Sequence, residues 1–345
     1  MQSLRCFLLL AAVALTAAAQ PSITAVENAA TNVLPGLPNS AIAQGSMFVV
    51  KGSGLGPASV VEATKFPLAA SLAGTSVQIT VGSTTVSGIM YYSLASQIAA
   101  ILPSTTPTGT GTVTVTYNGS ASSPAPITVV PSNIGVFTVT TSGIGDAVAT
   151  LANNTLVTPT NAPNPGDTVV LWATGLGPVT SDETKPAPGG NMPTIPLQVF
   201  IGGLPAQILY QGRNACCSSV DTIYAAIPNT VTTGCAVSVI MQIGSLVSNA
   251  TTIPIASSGR TCKPTNSAIT PDIQSQLLTK GSPLAISGIN LTRTIATTAV
   301  AGPQGVLQGK VSKTDTGSPP GPSGSIGGSR ILPRKPADNR VPGVG

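Results

Sequence analysis

One phrase recurs along this chain of 345 residues and limits the architectures that the chain can adopt. It reads GSMFVVKGSGLGP from Gly45 and GDTVVLWATGLGP from Gly166, and a weaker copy, GSPLAISGINL, begins at Gly281. The three starts are 166 − 45 = 121 and 281 − 166 = 115 residues apart. Because this spacing is the size of one small β-sandwich, the sequence predicts an array of similar modules.

The composition points to an all-β chain. Only 7% of the residues are charged and 3% are aromatic, whereas a typical globular protein has about 25% charged residues. Thr, Ser, Gly, Ala and Pro fill the difference. Thr and Val favour strands, and Gly and Pro favour turns. The helix formers Glu and Lys are scarce, so we expect few helices.

Two stretches, residues 22–131 and residues 133–256, have the features of complete modules. Apolar and polar residues alternate along matching segments of both, which is typical of a strand with one face on a core. The alternating apolar residues are Val77, Ile79 and Val81 in the first stretch and Leu197, Val199 and Ile201 in the second. Asn118-Gly119 is a typical tight hairpin turn. We therefore expect an all-β chain of tandem immunoglobulin-like β-sandwiches.

The remaining residues do not form a complete module. Residues 257–300 are predicted to be a linker, a short helix that begins near Thr270, and the start of an incomplete third module. Residues 301–345 are rich in Gly and Pro and lack aromatic residues, so we expect a disordered tail. This tail carries six basic and two acidic residues, whereas residues 22–300 carry eight of each. Since the predicted modules are neutral, we expect no nucleic-acid partner.

Residues 1–19 are predicted to be a signal peptide. Arg5 supplies a positive charge, an apolar run follows, and Ala17-Ala18-Ala19 fits the small-residue cleavage rule. The alternative, a membrane anchor, is disfavoured because the run is too short to span a bilayer. We expect an exported protein, in the periplasm, at the cell surface or outside the cell, without a transmembrane helix in the mature chain.

Four cysteines follow the predicted signal peptide, and an even number in an exported chain predicts disulfides. They are Cys216, Cys217, Cys235 and Cys262. Three pairings exist. A bond between the adjacent Cys216 and Cys217 would be strained. The favoured pairing therefore has two bonds, which join these two cysteines to Cys235 and Cys262. A metal site is the disfavoured alternative, because no histidine accompanies the thiols.

The absence of histidine removes the usual general base and the usual triads. Asp182 and Glu183 are adjacent and are candidates for calcium binding or glycosidase-like chemistry, although a solvated loop is favoured. Lys51 and Ser53 suggest a Ser-Lys dyad that nothing else supports, so a plain strand end is favoured. We expect a non-enzymatic protein without catalytic residues, metal or cofactor.

The aromatic residues are the candidate ligand contacts, because sugar-binding modules expose aromatic rings that stack on sugar faces. The candidates are Trp172, Tyr91, Tyr92 and Tyr210, with Tyr224 as a further member. Trp172 lies inside an apolar run, which favours a core position. Tyr91 and Tyr92 are adjacent, so one of them is expected to face solvent.

Particular motifs resemble those of a known group. The first module has Asn28-Ala-Ala and Tyr92-Ser, and the second has ATGLGP from Ala173, GRNACC from Gly212 and DTIYAAIP from Asp221. In these residues the chain resembles a family of secreted acidobacterial (Solibacter-type) repeat proteins of unknown function. The modules are similar to immunoglobulin-like repeats of the TIG/IPT type. The resemblance covers residues 28–262, and it implies export and a sandwich fold but no activity.

These observations favour a non-catalytic, exported structural or adhesive protein that acts through exposed sheet faces or loops. Its partner would be an extracellular protein or polysaccharide. The alternative is a carbohydrate-binding protein on an extracellular polysaccharide. An exposed row of aromatic side chains would favour the alternative, and buried aromatic side chains would count against it.

Overall fold

The computed structural model of the protein describes residues 20–186 and 190–264, together with the backbone of two later strands. The predicted signal peptide and the predicted helix after Thr270 lie outside the described residues. The chain divides into two compact units, and the first ends at Lys263. In the described residues all regular structure is β-strand, which confirms the predicted all-β class.

The first module contains twelve strands. They are β1 (Ser22–Asn28), β2 (Ile42–Ala43), β3 (Met47–Ser53), β4 (Val61–Glu62), β5 (Ser71–Leu72), β6 (Thr75–Val81), β7 (Thr84–Ser87), β8 (Ile89–Ser93), β9 (Gln97–Ile101), β10 (Gly109–Tyr117), β11 (Ser120–Ala121) and β12 (Ala125–Val130).

The second module contains eleven strands. They are β13 (Gly135–Val136), β14 (Gly145–Asp146), β15 (Ala149–Leu151), β16 (Thr168–Thr174), β17 (Gly190–Asn191), β18 (Leu197–Ile201), β19 (Leu204–Arg213), β20 (Asp221–Ala226), β21 (Gly234–Ile243), β22 (Leu246–Val247) and β23 (Thr251–Ile255).

Two sheets form the first sandwich. One has the order β1-β3-β9-β8-β4, and the other has the order β2-β12-β10-β6-β5 with β7 and β11 at its side. All neighbours are antiparallel except β2, which is parallel to β12. Asn118 and Gly119 have φ angles of 47° and 83° between β10 and β11, so the predicted hairpin turn is confirmed.

The second sandwich repeats this plan, with one strand shared by its two layers. One layer contains β13, β16, β20 and β19, and the other contains β18, β21, β23 and β14. The start of β19 pairs with β18, and its later part pairs with β20. The partner changes between Ala206 and Gln207, and just after this point the register with β20 shifts between Ile208 and Tyr210.

Each sandwich has its own hydrophobic core, as expected of tandem modules. The alternating residues that the sequence predicts to face inward are buried in both cores: Val77, Ile79, Val81, Leu197, Val199 and Ile201. Two separate cores in one chain confirm the predicted tandem immunoglobulin-like sandwiches.

The disulfide pairing differs from the favoured one. All four cysteines are bonded, but Cys216 pairs with its neighbour Cys217, and Cys235 pairs with Cys262. The first pair precedes β20 and the second lies at the far end of that strand. Since six residues of strand span roughly 17–20 Å and a disulfide joins Cα atoms about 4.4–6.8 Å apart, cross-pairing is excluded.

Two strands follow in the second unit, β24 (Gly288–Ala296) and β25 (Gln308–Thr316). They pair antiparallel along their whole length. β24 begins within the weak third copy of the repeated phrase. β25 lies inside the segment predicted to be disordered. That prediction used the composition averaged over 45 residues, which does not reveal the short strand-favouring stretch with Val311 and Thr314. The rest of residues 301–345 lies outside the described residues.

Candidate functional site

A buried ion pair lies where the second sandwich meets the first. Arg213 ends β19 and Asp221 begins β20, so the register places them side by side. Their side chains are 3% and 0% exposed, and Arg213 Nη1 donates to Asp221 Oδ1. Arg213 Nη2 also donates to the carbonyl oxygens of Gly45 in the first sandwich (2.8 Å) and Gly177 in the second (2.6 Å). The guanidinium therefore joins the two modules at the start of the repeated phrase.

Asp221 is held from several sides. Its Oδ2 accepts a hydrogen bond of 2.8 Å from the backbone N–H of Leu176. Burial raises the pKa of its carboxyl group, although the Arg213 guanidinium and the Leu176 N–H act in the opposite direction. Because a buried charge needs both a partner and hydrogen bonds, this arrangement is one that a folded protein can tolerate.

The loop between β19 and β20 supplies a second contact with the first sandwich. Ser219 Oγ donates to the Gly45 carbonyl oxygen (2.7 Å), and the Ser219 carbonyl accepts from Thr174 Oγ1 (2.8 Å). Thr174 Oγ1 in turn accepts from the backbone N–H of Met47 in the first sandwich (2.9 Å). The bond between Cys216 and Cys217 lies in this loop. The loop is thus both covalently constrained and part of the junction.

The adjacent acids Asp182 and Glu183, in the loop between β16 and β17, have different surroundings. Glu183 accepts hydrogen bonds from the backbone N–H (2.7 Å) and the hydroxyl (2.8 Å) of Ser104 in the first sandwich, and burial raises its pKa. Asp182 is exposed, and hydrogen bonds from Thr184, followed by Lys185, lower its pKa to about 2. Within the described residues no group of three metal-ligating side chains is present. The solvated-loop interpretation thus fits Asp182, whereas Glu183 contacts the first sandwich.

The single tryptophan lies on the outer face of a sheet, so the core position favoured from the sequence is wrong. Its neighbours Leu171 and Ala173 are in the core, and Trp172 therefore points to the opposite face. The side chain is half-buried, and its Nε1–H donates to Thr150 Oγ1 (3.4 Å) on β15. Trp172 thus remains a candidate ligand contact.

Two tyrosines continue from Trp172 across the same face. Tyr224 on β20 pairs with Val170, the residue two before Trp172, and with Tyr210 on β19. The rings of Tyr210 and Tyr224 meet edge to face with their centroids 5.3 Å apart. Diagonal neighbours on a sheet lie about 7–8 Å apart, within reach of aromatic rings. We call Trp172, Tyr224 and Tyr210 the aromatic band.

The aromatic band carries no charge of its own, and the hydroxyl group of Tyr210 is fixed by a hydrogen bond. Burial is the main cause that raises the pKa of Tyr210, and its hydroxyl donates to the Arg213 carbonyl oxygen (3.0 Å). Side chains beside the rings on the same face are also uncharged: Thr150, Val170 and Thr222. Such a surface suits a neutral ligand with flat apolar faces and hydroxyl groups.

The remaining two aromatic candidates lie in the first sandwich, apart from the band. Tyr91 and Tyr92 are both half-buried on β8, where the register shifts between Met90 and Tyr92. Tyr92 and Gln97 are joined by a side-chain hydrogen bond, and burial raises the pKa of Tyr92. Neither ring belongs to the hydrophobic core of the first sandwich.

The pair of Arg213 and Asp221 was not predicted from the sequence. A signal for it is present, since these are two of very few charged residues and apolar strands surround them. The contacts of these two side chains depend on how the two modules pack together, and the periodicity of the sequence carries no information on that packing.

No protein-family model and no curated protein matches the chain. Among solved structures, the Bacteroides ovatus mixed-linkage glucan utilization protein SGBP-B, in complex with a heptasaccharide, is 12% identical over 65% of this chain and 45% of that chain, with a TM-score of 0.29. The extracellular region of plexin A4 is 14% identical over 66% of this chain and 17% of that chain, with a TM-score of 0.22. Domains 5-6 of the S-layer protein SbsC are 13% identical over 71% of this chain and 100% of that chain, with a TM-score of 0.21.

The chain spans less than half the length of SGBP-B and of plexin A4. Similarity at this level carries no information on function, and the resemblance to secreted acidobacterial repeat proteins stays a prediction. In the part of the chain that the structure describes, no helix has the length and apolar character needed to cross a membrane.

Proposed function

We propose that the protein is an exported, non-catalytic structural or adhesive protein in which the two sandwiches act as one stiff unit. The observation that supports this most directly is the Arg213 side chain, which donates to Gly45 of the other module from a buried position. A hinge motion would break this hydrogen bond together with those of Ser219 and Thr174 across the junction, so the contacts favour one fixed orientation. Modules held in this way keep a fixed orientation and transmit force.

Export is part of the proposal. Two disulfides and the predicted signal peptide support an oxidising compartment. An adhesive protein would hold its partner through a face that the junction leaves free, and the outer sheet face with the aromatic band meets this condition.

The experiment is a pull-down of the purified chain on native cell envelopes. Retention that protease treatment of the envelopes abolishes would support a protein partner. The same assay with Arg213→Met tests whether the fixed orientation matters, since that variant removes the side-chain bond to Gly45 but keeps the backbone carbonyl that Tyr210 contacts. Failure to bind any envelope would contradict the adhesive role.

As the second candidate we propose carbohydrate binding by the aromatic band. The observation that favours it is the position of Trp172 on an outer face beside Tyr224 and Tyr210, with uncharged neighbours. Aromatic rings provide large apolar faces at low entropic cost. A neutral polysaccharide presents matching C–H faces and has no charge to satisfy.

Binding to insoluble neutral polysaccharides distinguishes the two candidates. We expect Trp172→Ala to lose retention at least tenfold if the band binds glycan. Phe200→Ala is the matched control, because Phe200 is a half-buried aromatic residue on the outer face of the opposite layer. Equal loss in both variants, or no retention of the wild type on any glycan, would refute carbohydrate binding.

A further inference from the structure

Lys51, Glu27 and Asn32 form a cluster on the outer face of the first sandwich. Lys51 lies on β3 and Glu27 on the neighbouring β1, and Asn32 follows in the loop after β1. Lys51 Nζ is 2.6 Å from Glu27 Oε2 and 3.3 Å from Asn32 Oδ1. The amine of Lys51 therefore contacts both a carboxylate and a side-chain amide.

The carboxylate of Glu27 is not used as an ordinary surface ion. Its side chain is 0% exposed, whereas that of Lys51 is 36% exposed. Its second oxygen, Oε1, has no hydrogen-bond partner among the residues that the structure describes. A buried carboxylate oxygen without a donor is costly for folding alone. Oε1 is thus one acceptor atom of the cluster that has no donor in the described part of the chain.

The amide of Asn32 is held in place. Its Nδ2 donates to the Thr141 carbonyl oxygen of the second sandwich (3.1 Å), and its backbone N–H donates to the Asn28 carbonyl oxygen (3.0 Å). Its φ angle of 51° is in the left-handed region that Asn tolerates. The contact between Lys51 Nζ and Oδ1 places the amine beside the amide carbonyl, whose carbon is the electrophilic atom of this group.

We propose that Lys51 and Asn32 join in an intramolecular isopeptide bond, with Glu27 as the proton carrier. Lys51 passes a proton to Glu27, and the neutral Nζ attacks Asn32 Cγ. The Nζ–Cγ bond forms and the Cγ–Nδ2 bond breaks. Glu27 gives its proton to the departing nitrogen, which leaves as ammonia. Nζ then passes its second proton to the Glu27 carboxylate, and the ammonia takes this proton up and departs as ammonium, which restores the carboxylate. No oxidant or cofactor is needed, and proximity supplies much of the rate.

The bond would fasten the loop after β1 to the middle of β3. It would close a covalent loop over residues 32–51, so that force along the chain passes directly between Asn32 and Lys51 and bypasses β2 and the start of β3. This goes beyond the proposed function and does not depend on which partner the protein holds.

The experiment is intact mass spectrometry of the reduced full chain, followed by peptide mapping. We expect a mass lower by one ammonia, and a branched peptide that links Lys51 to Asn32. Lys51→Arg keeps the positive charge and removes the nucleophile, and Glu27→Gln removes the proton carrier. Both variants are expected to lose the branched peptide completely, and circular dichroism checks that each still folds.

Other losses of ammonia must be separated from this one. An N-terminal Gln20, or an imide at Asn32, would give the same mass change, but neither requires Lys51. A loss that persists in Lys51→Arg therefore overturns the proposal. Linear peptides with unmodified Lys51 and Asn32 from the folded wild type overturn it as well, and the cluster is then an ion pair only.

Discussion

Removal of the Arg213 side chain is the most direct test of the junction. In Arg213→Met, Asp221 loses its cation and the Gly177 carbonyl loses its donor from this side chain, while Gly45 keeps the hydroxyl of Ser219. Breaking a buried ion pair by removing one partner costs about 3–5 kcal/mol, because the remaining charge is buried without compensation. We expect a loss in the free energy of unfolding of about that size.

The exposed pair of Arg260 and Asp167 is the matched control. Arg260 Nη1 lies 2.6 Å from Asp167 Oδ2, but the side chains are 49% and 35% exposed. Such surface pairs contribute about 0–1 kcal/mol, so Arg260→Met should change the free energy of unfolding little. Both variants are compared by urea unfolding followed by circular dichroism, with the slope of the free energy against urea checked for each.

A double variant separates two contributions to the lost stability: the attraction between Arg213 and Asp221, and the cost of leaving Asp221 buried without its partner. Arg213→Met with Asp221→Leu removes both charges, and we expect it to recover most of the lost stability. If Arg213→Met and Arg260→Met destabilise the protein equally within about 1 kcal/mol, the argument that burial controls the cost is refuted.

Three further predictions concern the second sandwich. Cys262→Ser opens a disulfide with a sequence separation of 27 and should cost about 3–4 kcal/mol in urea unfolding, whereas Cys217→Ser opens no long loop and should cost far less. Hydrogen bonding lowers the pKa of Asp182 to about 2, so its contribution to stability is complete above its ordinary value of 3.8 and is lost as the pH falls through 2. Thr184→Val should raise that pKa in an NMR titration, and an unchanged value would contradict the assigned cause. Gly175 has a φ of 102°, and a Cβ at this position would meet the Asn133 carbonyl oxygen. Gly175→Ala should therefore lower the free energy of unfolding, measured by urea unfolding, by at least about 1–3 kcal/mol.

Local patterns predict the strands well, because alternation depends only on neighbouring residues. They fail at Trp172, where Val169, Val170 and Leu171 precede it as an unbroken apolar run. Val170 faces outward but is only 3% exposed, since its neighbours on the sheet cover it. The run therefore hides the alternation that would have placed Trp172 on the outer face.

Features that need distant contacts were beyond the sequence. The disulfide pairing depends on which end of β20 each cysteine occupies, and cysteine spacing alone does not contain this information. The same holds for Arg213, whose partner Gly45 lies in another module. The turn at Gly175-Leu-Gly177-Pro was predictable, because positive φ angles, here 102° and 151°, favour glycine locally.

The two copies of the sandwich place different chemistry at equivalent positions. The offset of 121 residues carries Lys51 onto Trp172 and Val49 onto Val170 (51 + 121 = 172, 49 + 121 = 170). The strand beside them then brings Glu27 to Lys51 in one copy and Thr150 to Trp172 in the other. Equivalent positions of the same fold therefore carry an ionic cluster in the first copy and an aromatic surface in the second. A ligand of the aromatic surface would meet a single receptor face for every two sandwiches, and a longer chain of such pairs would display its sites at every second module.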